Sequence, residues 1–217
     1  MKDVEEIKQS KKFFKKHRPS KIPDYYMDVI SNVFVDGMWL EFGVWVGTSA
    51  NIIANFMKSI AKQNKILYGF DSFEGLPEDW TDPETNIVQE EGKKGHFSLN
   101  GDIPISNNPN VKFIKAWFDD TLPEFIRGKT EPIALLHVDC DLYSSTKTVF
   151  DNLAQHIVPG TVIMFDEIYN YPGCEAHELK AFREFIEKYS VSYKWLAHVD
   201  DGRQASLLIT NINKENK

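Results

Sequence analysis

The sequence has few cysteines, no long apolar run and no excess of basic residues. Only two of its 217 residues are cysteines, Cys140 and Cys174, and we expect both to be buried, reduced thiols rather than parts of a disulfide scaffold. No stretch approaches the ~20 apolar residues needed to cross a bilayer. The charged N-terminus, residues 1–6, also lacks the apolar run of a signal peptide. We therefore expect a cytoplasmic protein with no membrane partner.

The charge balance excludes another class of partner. A formal net charge of −7 argues against nucleic-acid binding, because that function needs a concentrated basic face. The one basic cluster, residues 11–18, is interpreted as the solvated face of a helix, with a membrane or polyanion contact as the alternative. The length and the 42% hydrophobic content suit a single globular domain spanning residues 1–217.

Short apolar runs alternate with helical patterns along the chain, which is typical of a parallel α/β sheet. We predict helical character for residues 1–36 and helices at 48–60, from Thr121, at 144–157 and at 175–189. Strands are predicted at 38–43, 66–71, 111–114, 133–138 and 161–165. Residues 193–199 and 205–210 are predicted to form a terminal hairpin, which makes the sheet mostly parallel with one antiparallel strand.

Residues 72–110 show little periodicity and are punctuated by proline and glycine. Loops of this length in a compact domain are usually functional lids when they are ordered. The segment carries Phe73, Trp80, His96 and Phe97, more aromatic surface than a linker requires. We predict a lid-like insertion; the alternative is that these rings only anchor the loop to the body.

Two predicted strands end directly in pairs of acidic residues. Asp139 and Asp141 follow residues 133–138, and Asp166 and Glu167 follow residues 161–165. If the strands lie side by side and parallel, these carboxylates meet at the sheet edge where open α/β folds bind ligands. Four carboxylates this close repel one another unless a cation holds them. The sequence therefore predicts a divalent-metal site, while His137 is predicted to be a core histidine.

The first strand runs into the turn Glu41-Phe42-Gly43-Val44-Trp45-Val46-Gly47-Thr48-Ser49. It lacks the third glycine of a dinucleotide fingerprint and the Gly-Lys-Ser/Thr of a P-loop. A helix N-terminus after such a turn favours an anionic group, and the spacing suits a small carboxylate such as the methionine moiety of S-adenosylmethionine. Asp71, at the end of the second strand, would accept hydrogen bonds from a ribose diol.

Several motifs in this sequence resemble the macrocin-type sugar O-methyltransferases, which are class I, metal-dependent S-adenosylmethionine enzymes with a more distant likeness to catechol O-methyltransferase. The resemblance runs from about Trp39 to the C-terminus. It rests on Glu41-Phe42-Gly43-x-x-x-Gly47-Thr48-Ser49, Gly69-Phe70-Asp71-Ser72-Phe73-Glu74-Gly75-Leu76-Pro77, Trp117-Phe118-x-x-Thr121-Leu122-Pro123, His137-Val138-Asp139-x-Asp141-Leu142-Tyr143 and Asp166-Glu167.

The resemblance implies a Rossmann-like sheet of seven strands with helices on both faces. It also implies Mg²⁺, or another divalent cation, bound by Asp139, Asp166 and Glu167, with Asp139 and Asp141 catalytic and Asp141 as general base. Phe118 and Asp119 would lie near the adenine. The full set of implied cofactor-binding residues is Glu41, Gly43, Gly47, Thr48, Ser49, Asp71, Ser72, Phe118 and Asp119.

The expected activity is Mg²⁺-dependent methyl transfer to a hydroxyl of a sugar or a glycosylated small molecule. Glu167 departs from the Asp-Asp pair frequent in the family, and the short basic N-terminal segment leaves the acceptor pocket and any homo-oligomer contact open. The alternatives are methylation of a catechol-like phenol and a non-catalytic nucleotide-binding protein with the same fold. The polar loop residues Glu74, Asp79, Glu90 and His96 favour a sugar over a flat phenol.

Overall fold

A computed structural model describes residues 22–62, 64–88 and 92–214 of the chain. The basic cluster at residues 11–18, most of the predicted N-terminal helical segment, and Glu90 lie outside the described residues. Tyr26, Val29, Ile30 and Val33, the apolar residues at helical spacing after Pro23, are buried. None of the described helices combines the length and the apolar character that a membrane span requires.

Strands and helices alternate as the sequence pattern predicts. The α-helices in the described part are α1 Ile22–Ile30, α2 Thr48–Ser59, α3 Phe118–Ile126, α4 Tyr143–Leu153 and α5 Glu178–Lys188. The strands there are β1 Met38–Phe42, β2 Leu67–Asp71, β3 Val111–Lys115, β4 Ile133–Val138, β5 Val162–Phe165, β6 Ser192–His198 and β7 Ala205–Asn211. Short 3₁₀ turns cover Ala154–His156 and Cys174–Ala176.

The strands form one seven-stranded sheet in the order β3-β2-β1-β4-β5-β7-β6. Parallel pairing joins β1 to β2 and β4, β2 to β3, and β4 to β5, whereas β7 is antiparallel to both β5 and β6. The predicted mostly parallel sheet with a C-terminal antiparallel hairpin is therefore confirmed. Phe42 is in register with Phe70 and Val138, and Val138 with Phe165, so four strands end together at one rim.

Helices cover both faces of the sheet, as predicted. On one face α1 and α2 pack against the sheet through residues such as Val29 and Ile53. On the other face α3, α4 and α5 contribute Leu122, Phe150 and Phe182 to the larger core cluster. Because successive strand residues point to opposite faces, a fully buried strand such as β1 supplies apolar side chains to both clusters.

Three local predictions were wrong. Thr121 does not cap a helix: α3 begins three residues earlier, where Asp119 and Asp120 place negative charge in its first turn, and Thr121 donates its hydroxyl to the Trp117 carbonyl at 3.0 Å. The helix predicted at 175–189 is interrupted at His177, whose backbone is not helical, and α5 begins at Glu178. Both cysteines are free, but Cys174 is only half-buried.

The described part of residues 72–110 contains no helix or longer strand, only an isolated antiparallel bridge between Thr81 and Val88. Phe73 and Trp80 are buried, so these two rings anchor the loop to the body. Phe97 is half-buried against Trp45, with 5.5 Å between ring centroids, and His96 is exposed. The role of the segment as a lid stays a prediction.

Candidate active site

A cleft of about 1170 Å³ opens at the rim where the central strands end. This exceeds the 300–1,000 Å³ of a pocket for one drug-sized ligand, so it has room for a nucleoside cofactor together with an acceptor. Most of the residues predicted for the site line it, namely Gly43, Thr48, Ser49, Asp71, Ser72, Phe118, Asp119, Asp139, Asp141, Asp166 and Glu167.

Two predicted cofactor-binding residues do not line the cleft. The Glu41 side chain is completely buried, and its Oε1 lies 3.0 Å from Nδ1 of His137, which is itself buried. Gly47 precedes the first turn of α2 with a φ of 80° and packs near Phe113. Direct contact of either residue with a cofactor stays a prediction.

Gly43 connects the glycine turn to the acidic rim. Its φ is +88°, and a Cβ built there would lie 1.6 Å from the backbone carbonyl oxygen of Asp139. Only glycine permits both this conformation and this approach. The amide of Asp139 also donates to the Phe42 carbonyl at 2.8 Å. The turn after β1 and the first acidic residue after β4 are therefore held against each other.

Asp71 fastens the glycine turn to the end of β2. Its Oδ2 accepts the backbone N–H groups of Val44 at 2.8 Å and Trp45 at 2.9 Å, and its Oδ1 accepts that of Phe73 at 2.7 Å. Trp45 has a positive φ of 47°, so this carboxylate holds a strained turn in shape. Asp71 also faces the cleft. Its contact with a ribose stays a prediction.

The acidic residues after β4 and β5 do come together. Asp139, Asp141 and Glu167 offer ligand atoms that all lie within 4.8 Å of one another, and His137, Asp139 and Asp166 form a second such group. The parallel register of β4 and β5 explains the meeting, since Val138 pairs with Phe165 and the acidic residues follow both. Asp139 belongs to both groups and is the centre of the cluster.

The electrostatics of this cluster fit a bound cation. Burial, and then the negative charges of Asp166 and Asp141, raise the pKa of Asp139 well above its ordinary value. Burial and the charge of Asp166 likewise raise the pKa of Glu167. Within the described chain, Oε2 of Glu167 is buried without a hydrogen-bond partner. Carboxylate oxygens are the ligands that Mg²⁺ prefers, so the donor set fits that ion.

Sequence reasoning did not single out several residues in or next to the cleft. Tyr26, Arg203 and Gln204 line it, and Gln204 Nε2 donates to Asp166 Oδ2 at 3.3 Å. The predicted hairpin could have indicated Arg203 and Gln204, because an antiparallel β7 beside β5 places the turn between β6 and β7 at the same rim. Glu178 is completely buried beneath the acidic loops and accepts the Cys140 N–H at 3.3 Å. No motif in the sequence around Glu178 indicates that it belongs to the site.

The family of the chain follows from comparison with known proteins. A family model described as Macrocin-O-methyltransferase (TylF) matches residues 13–200, which is most of the chain. The chain belongs to this family. The resemblance to the macrocin-O-methyltransferase family that was drawn from the motifs is thereby confirmed.

Two curated relatives support the assignment to the macrocin-O-methyltransferase family. The 8-demethyl-8-(2,3-dimethoxy-alpha-L-rhamnosyl)-tetracenomycin-C 4'-O-methyltransferase of Streptomyces olivaceus is 26% identical over 179 residues, which cover 77% of this chain and 65% of the relative. The mycinamicin III 3''-O-methyltransferase of Micromonospora griseorubida is 26% identical over 176 residues, covering 73% of this chain and 63% of the relative. The chain thus spans slightly under two thirds of the length of these two relatives.

Solved structures share the fold. The calicheamicin methyltransferase CalS11 superimposes with a TM-score of 0.61 at 21% identity, covering 85% of this chain and 75% of that one. The methyltransferase MycE, solved with Mg, SAH and mycinamycin VI, gives a TM-score of 0.52 at 15% identity and covers 97% of this chain and 56% of that one. These similarities confirm the Rossmann-like class I methyltransferase fold.

Proposed function

We propose that the protein is a Mg²⁺-dependent S-adenosylmethionine O-methyltransferase that methylates a hydroxyl of a sugar or a glycosylated small molecule. The observation that carries the proposal is the group of carboxylates Asp139, Asp141 and Glu167, of which Asp141 is buried and the other two are half-buried, beside the glycine turn at Gly43 in one cleft. Family membership supports methyl transfer. The rhamnosyl group in the name of one relative supports the acceptor class, and the Mg bound in the MycE structure supports the ion.

The acidic loops after β4 and β5 form one half of the cleft, the metal half. There Asp139, Asp166 and Glu167 would hold Mg²⁺. Bound there, Mg²⁺ would make a coordinated hydroxyl more acidic and so a better nucleophile. Asp141 is assigned the proton transfer, because its carboxylate lies within 4.8 Å of those of Asp139 and Glu167 and faces the same cleft. Its φ of 60° shows that the backbone has left the extended conformation of β4 at this residue.

In the cofactor half, which the glycine turn and α2 form, the N-terminus of α2 presents backbone N–H groups and the hydroxyls of Thr48 and Ser49 to an anionic group. Bound S-adenosylmethionine would supply the methyl group. Phe118 and Asp119, in the first turn of α3, line the adenine end of the cleft in this proposal. Holding donor and acceptor in one cleft allows the in-line geometry that methyl transfer needs.

Residues 72–110 also line part of the cleft. Leu76, Glu78 and Phe97 line it from this segment, and Glu78 Oε1 accepts the hydroxyl of Ser144 at 2.5 Å. In the proposal this segment excludes water from the acceptor. Glu74, Asp79 and His96, which the sequence reasoning used to favour a sugar, are not among the cleft-lining residues. Glu78, Ser144, Ser145 and Thr148 provide the polar lining instead.

Calorimetric titration of the wild-type protein and two variants tests the proposal. The wild type should bind S-adenosylmethionine and Mg²⁺. Asp139→Asn should keep cofactor binding but lose Mg²⁺ affinity by at least about 100-fold, since even outer partners of metal ligands cost 10–100-fold. Asp141→Asn should keep Mg²⁺ binding and lose turnover of an acceptor found by screening a glycoside library for a gain of one methyl group in mass.

The outcomes separate the parts of the proposal. Absence of Mg²⁺ binding to the wild type, or full turnover by Asp139→Asn, would contradict the metal dependence. Loss of Mg²⁺ binding in Asp141→Asn would make Asp141 a ligand rather than the base. Methylation of catechols in preference to every glycoside would replace the acceptor class. Glu184→Gln, which removes a charge on α5 where Glu184 bonds the Tyr143 hydroxyl, is the control.

A further inference from the structure

Glu178, the first residue of α5, is a buried carboxylate beneath the acidic loops. Its side chain is completely buried, and Oε1 accepts the backbone N–H of Cys140 at 3.3 Å. Cys140 stands between Asp139 and Asp141, so this hydrogen bond reaches the middle of the loop that presents both of them. The two partners are 38 residues apart in the chain, and the contact joins α5 to the end of β4.

A buried carboxylate costs free energy, because burial removes its hydration, unless hydrogen bonds or opposite charges compensate for that loss. Burial, and then the charge of Asp141, raise the pKa of Glu178 well above its ordinary value, while the backbone N–H groups of Cys140 and Glu167 oppose that rise. Within the described residues no lysine or arginine forms an ion pair with it. Its neighbours of opposite polarity are thus backbone amides of both acidic loops.

The loop that Glu178 holds needs an external support. Asp141 has a left-handed φ of 60°, which is strained for a residue with a side chain. Leu142 donates its N–H to the Cys140 carbonyl at 2.5 Å, so the chain turns sharply within three residues. A turn of this kind keeps its shape only when its surroundings determine it, and the Glu178 carboxylate accepts the N–H of Cys140, its first residue.

The turn that carries Glu178 is itself fixed. His177 Nε2 lies 2.9 Å from the carbonyl oxygen of Thr81, in the loop 72–110. The N–H of Ala181 pairs with the His177 carbonyl at 3.1 Å, which starts α5 at this point. One short turn therefore contacts the cleft-lining loop on one side and the acidic rim on the other.

We infer that Glu178 is a positioning residue for the metal site: its Oε1 holds the Asp139–Asp141 loop through the Cys140 amide without binding the ion. The inference rests on the proposed Mg²⁺ site. Glu178 belongs to neither of the groups of described residues whose ligand atoms converge. Outer partners that orient metal ligands typically change metal affinity or activity 10–100-fold when they are removed.

Glu178→Gln and Glu178→Met form the matched pair that tests this role. Both remove the charge and keep a similar volume, but only glutamine retains an acceptor for the Cys140 amide. We expect Glu178→Gln to bind Mg²⁺ within about threefold of the wild type and Glu178→Met to bind it at least about tenfold more weakly. Calorimetry with MgCl₂ gives the affinities, and titration with S-adenosylmethionine together with thermal unfolding reports whether each variant is folded.

Each outcome has one reading. Equal Mg²⁺ affinity in the folded methionine variant and the wild type overturns the inference. So does an equal loss in both variants, because Glu178 would then act through its charge or as a ligand. Should the methionine variant not fold, Glu178→Asp, which keeps the charge but is one methylene too short, must show the weakened affinity. A wild type that binds no Mg²⁺ contradicts the proposed function instead.

Discussion

Asp71 and Asp139 both stand at the carboxyl end of a parallel strand, yet their surroundings differ. Asp71 accepts three backbone N–H groups at 2.7–2.9 Å, so its negative charge is balanced by the turn that it organises. Asp139 lies half-buried among other carboxylates, and its pKa is raised by the loss of hydration and by Asp166. The protein itself neutralises the carboxylate in one half of the cleft, whereas the other half concentrates carboxylates that a bound cation would stabilise.

Gly43 is where the two halves touch, and its substitution should have the largest effect. Gly43→Ala would place Cβ 1.6 Å from the Asp139 carbonyl oxygen and strain a φ of +88°. We expect the free energy of unfolding to fall by about 3–4 kcal/mol and the affinities for S-adenosylmethionine and Mg²⁺ both to fall. Chemical denaturation and calorimetry measure these changes.

Gly128→Ala is the control for backbone strain alone. Gly128 also has a positive φ, of +72°, but an added Cβ would meet nothing within 4 Å. It should lose only about 1–2 kcal/mol of stability and keep both affinities. Equal destabilisation by the two substitutions would mean that contact with Asp139 is not what requires glycine at position 43.

A substitution at Asp71 should weaken cofactor binding without changing Mg²⁺ binding. In Asp71→Asn the new side-chain amide would turn its own N–H₂ group toward backbone N–H donors, leaving Val44 and Trp45 or Phe73 without an acceptor. Hydrogen bonds to a charged group contribute about 1.5–3 kcal/mol, so this substitution should weaken S-adenosylmethionine binding about 10–100-fold and leave Mg²⁺ affinity unchanged. Asp36→Asn, at an exposed ion pair with Lys65, removes the same charge as a control. A loss of Mg²⁺ affinity as large as the loss of S-adenosylmethionine affinity would show that the two halves of the cleft are not independent.

The smallest effect is expected at the edge of the metal half. Gln204→Ala removes the donor that reaches Asp166 Oδ2 at 3.3 Å. A neutral donor at this distance contributes about 1 kcal/mol, so Mg²⁺ affinity should fall about fivefold while cofactor affinity is kept. Asn170→Ala is matched to it, because the Asn170 side chain also donates a hydrogen bond to the segment between β6 and β7, but its acceptor is the Gly202 carbonyl rather than a candidate ligand. Equal Mg²⁺ affinities in both variants would remove Gln204 from the site.

The sequence predicts the parts of the site that are contiguous with strand ends. Asp139 and Asp166 were predictable because each directly follows a continuous apolar run, and parallel pairing leaves such residues at one rim. Gly43 was predictable as a turn, but its contact with Asp139 depends on the register between β1 and β4. The start of α3 was misjudged because a threonine was preferred as cap over acidic residues already in the first turn.

Glu178 lies beyond what pattern reasoning reaches. In the sequence it is one acidic residue at the start of an amphipathic helix, a place where acidic residues are common for their interaction with the helix dipole. Its burial arises only when α5 packs against α4 and the sheet, which brings Glu178 to the Cys140 amide. Tertiary packing, rather than local propensity, gives this residue its surroundings.

The position of β7 makes the C-terminal hairpin part of the acidic rim. Although it comes last among the strands, β7 lies between β5 and β6, with Phe165 paired to Ala205 and Ser192 to Asn211. Through this pairing β7 covers an edge of β5 that would otherwise be apolar and unpaired. The same pairing brings Gln204, which directly precedes β7, to Asp166, which directly follows β5. A change in the hairpin that displaced β7 would therefore also remove the hydrogen bond to Asp166.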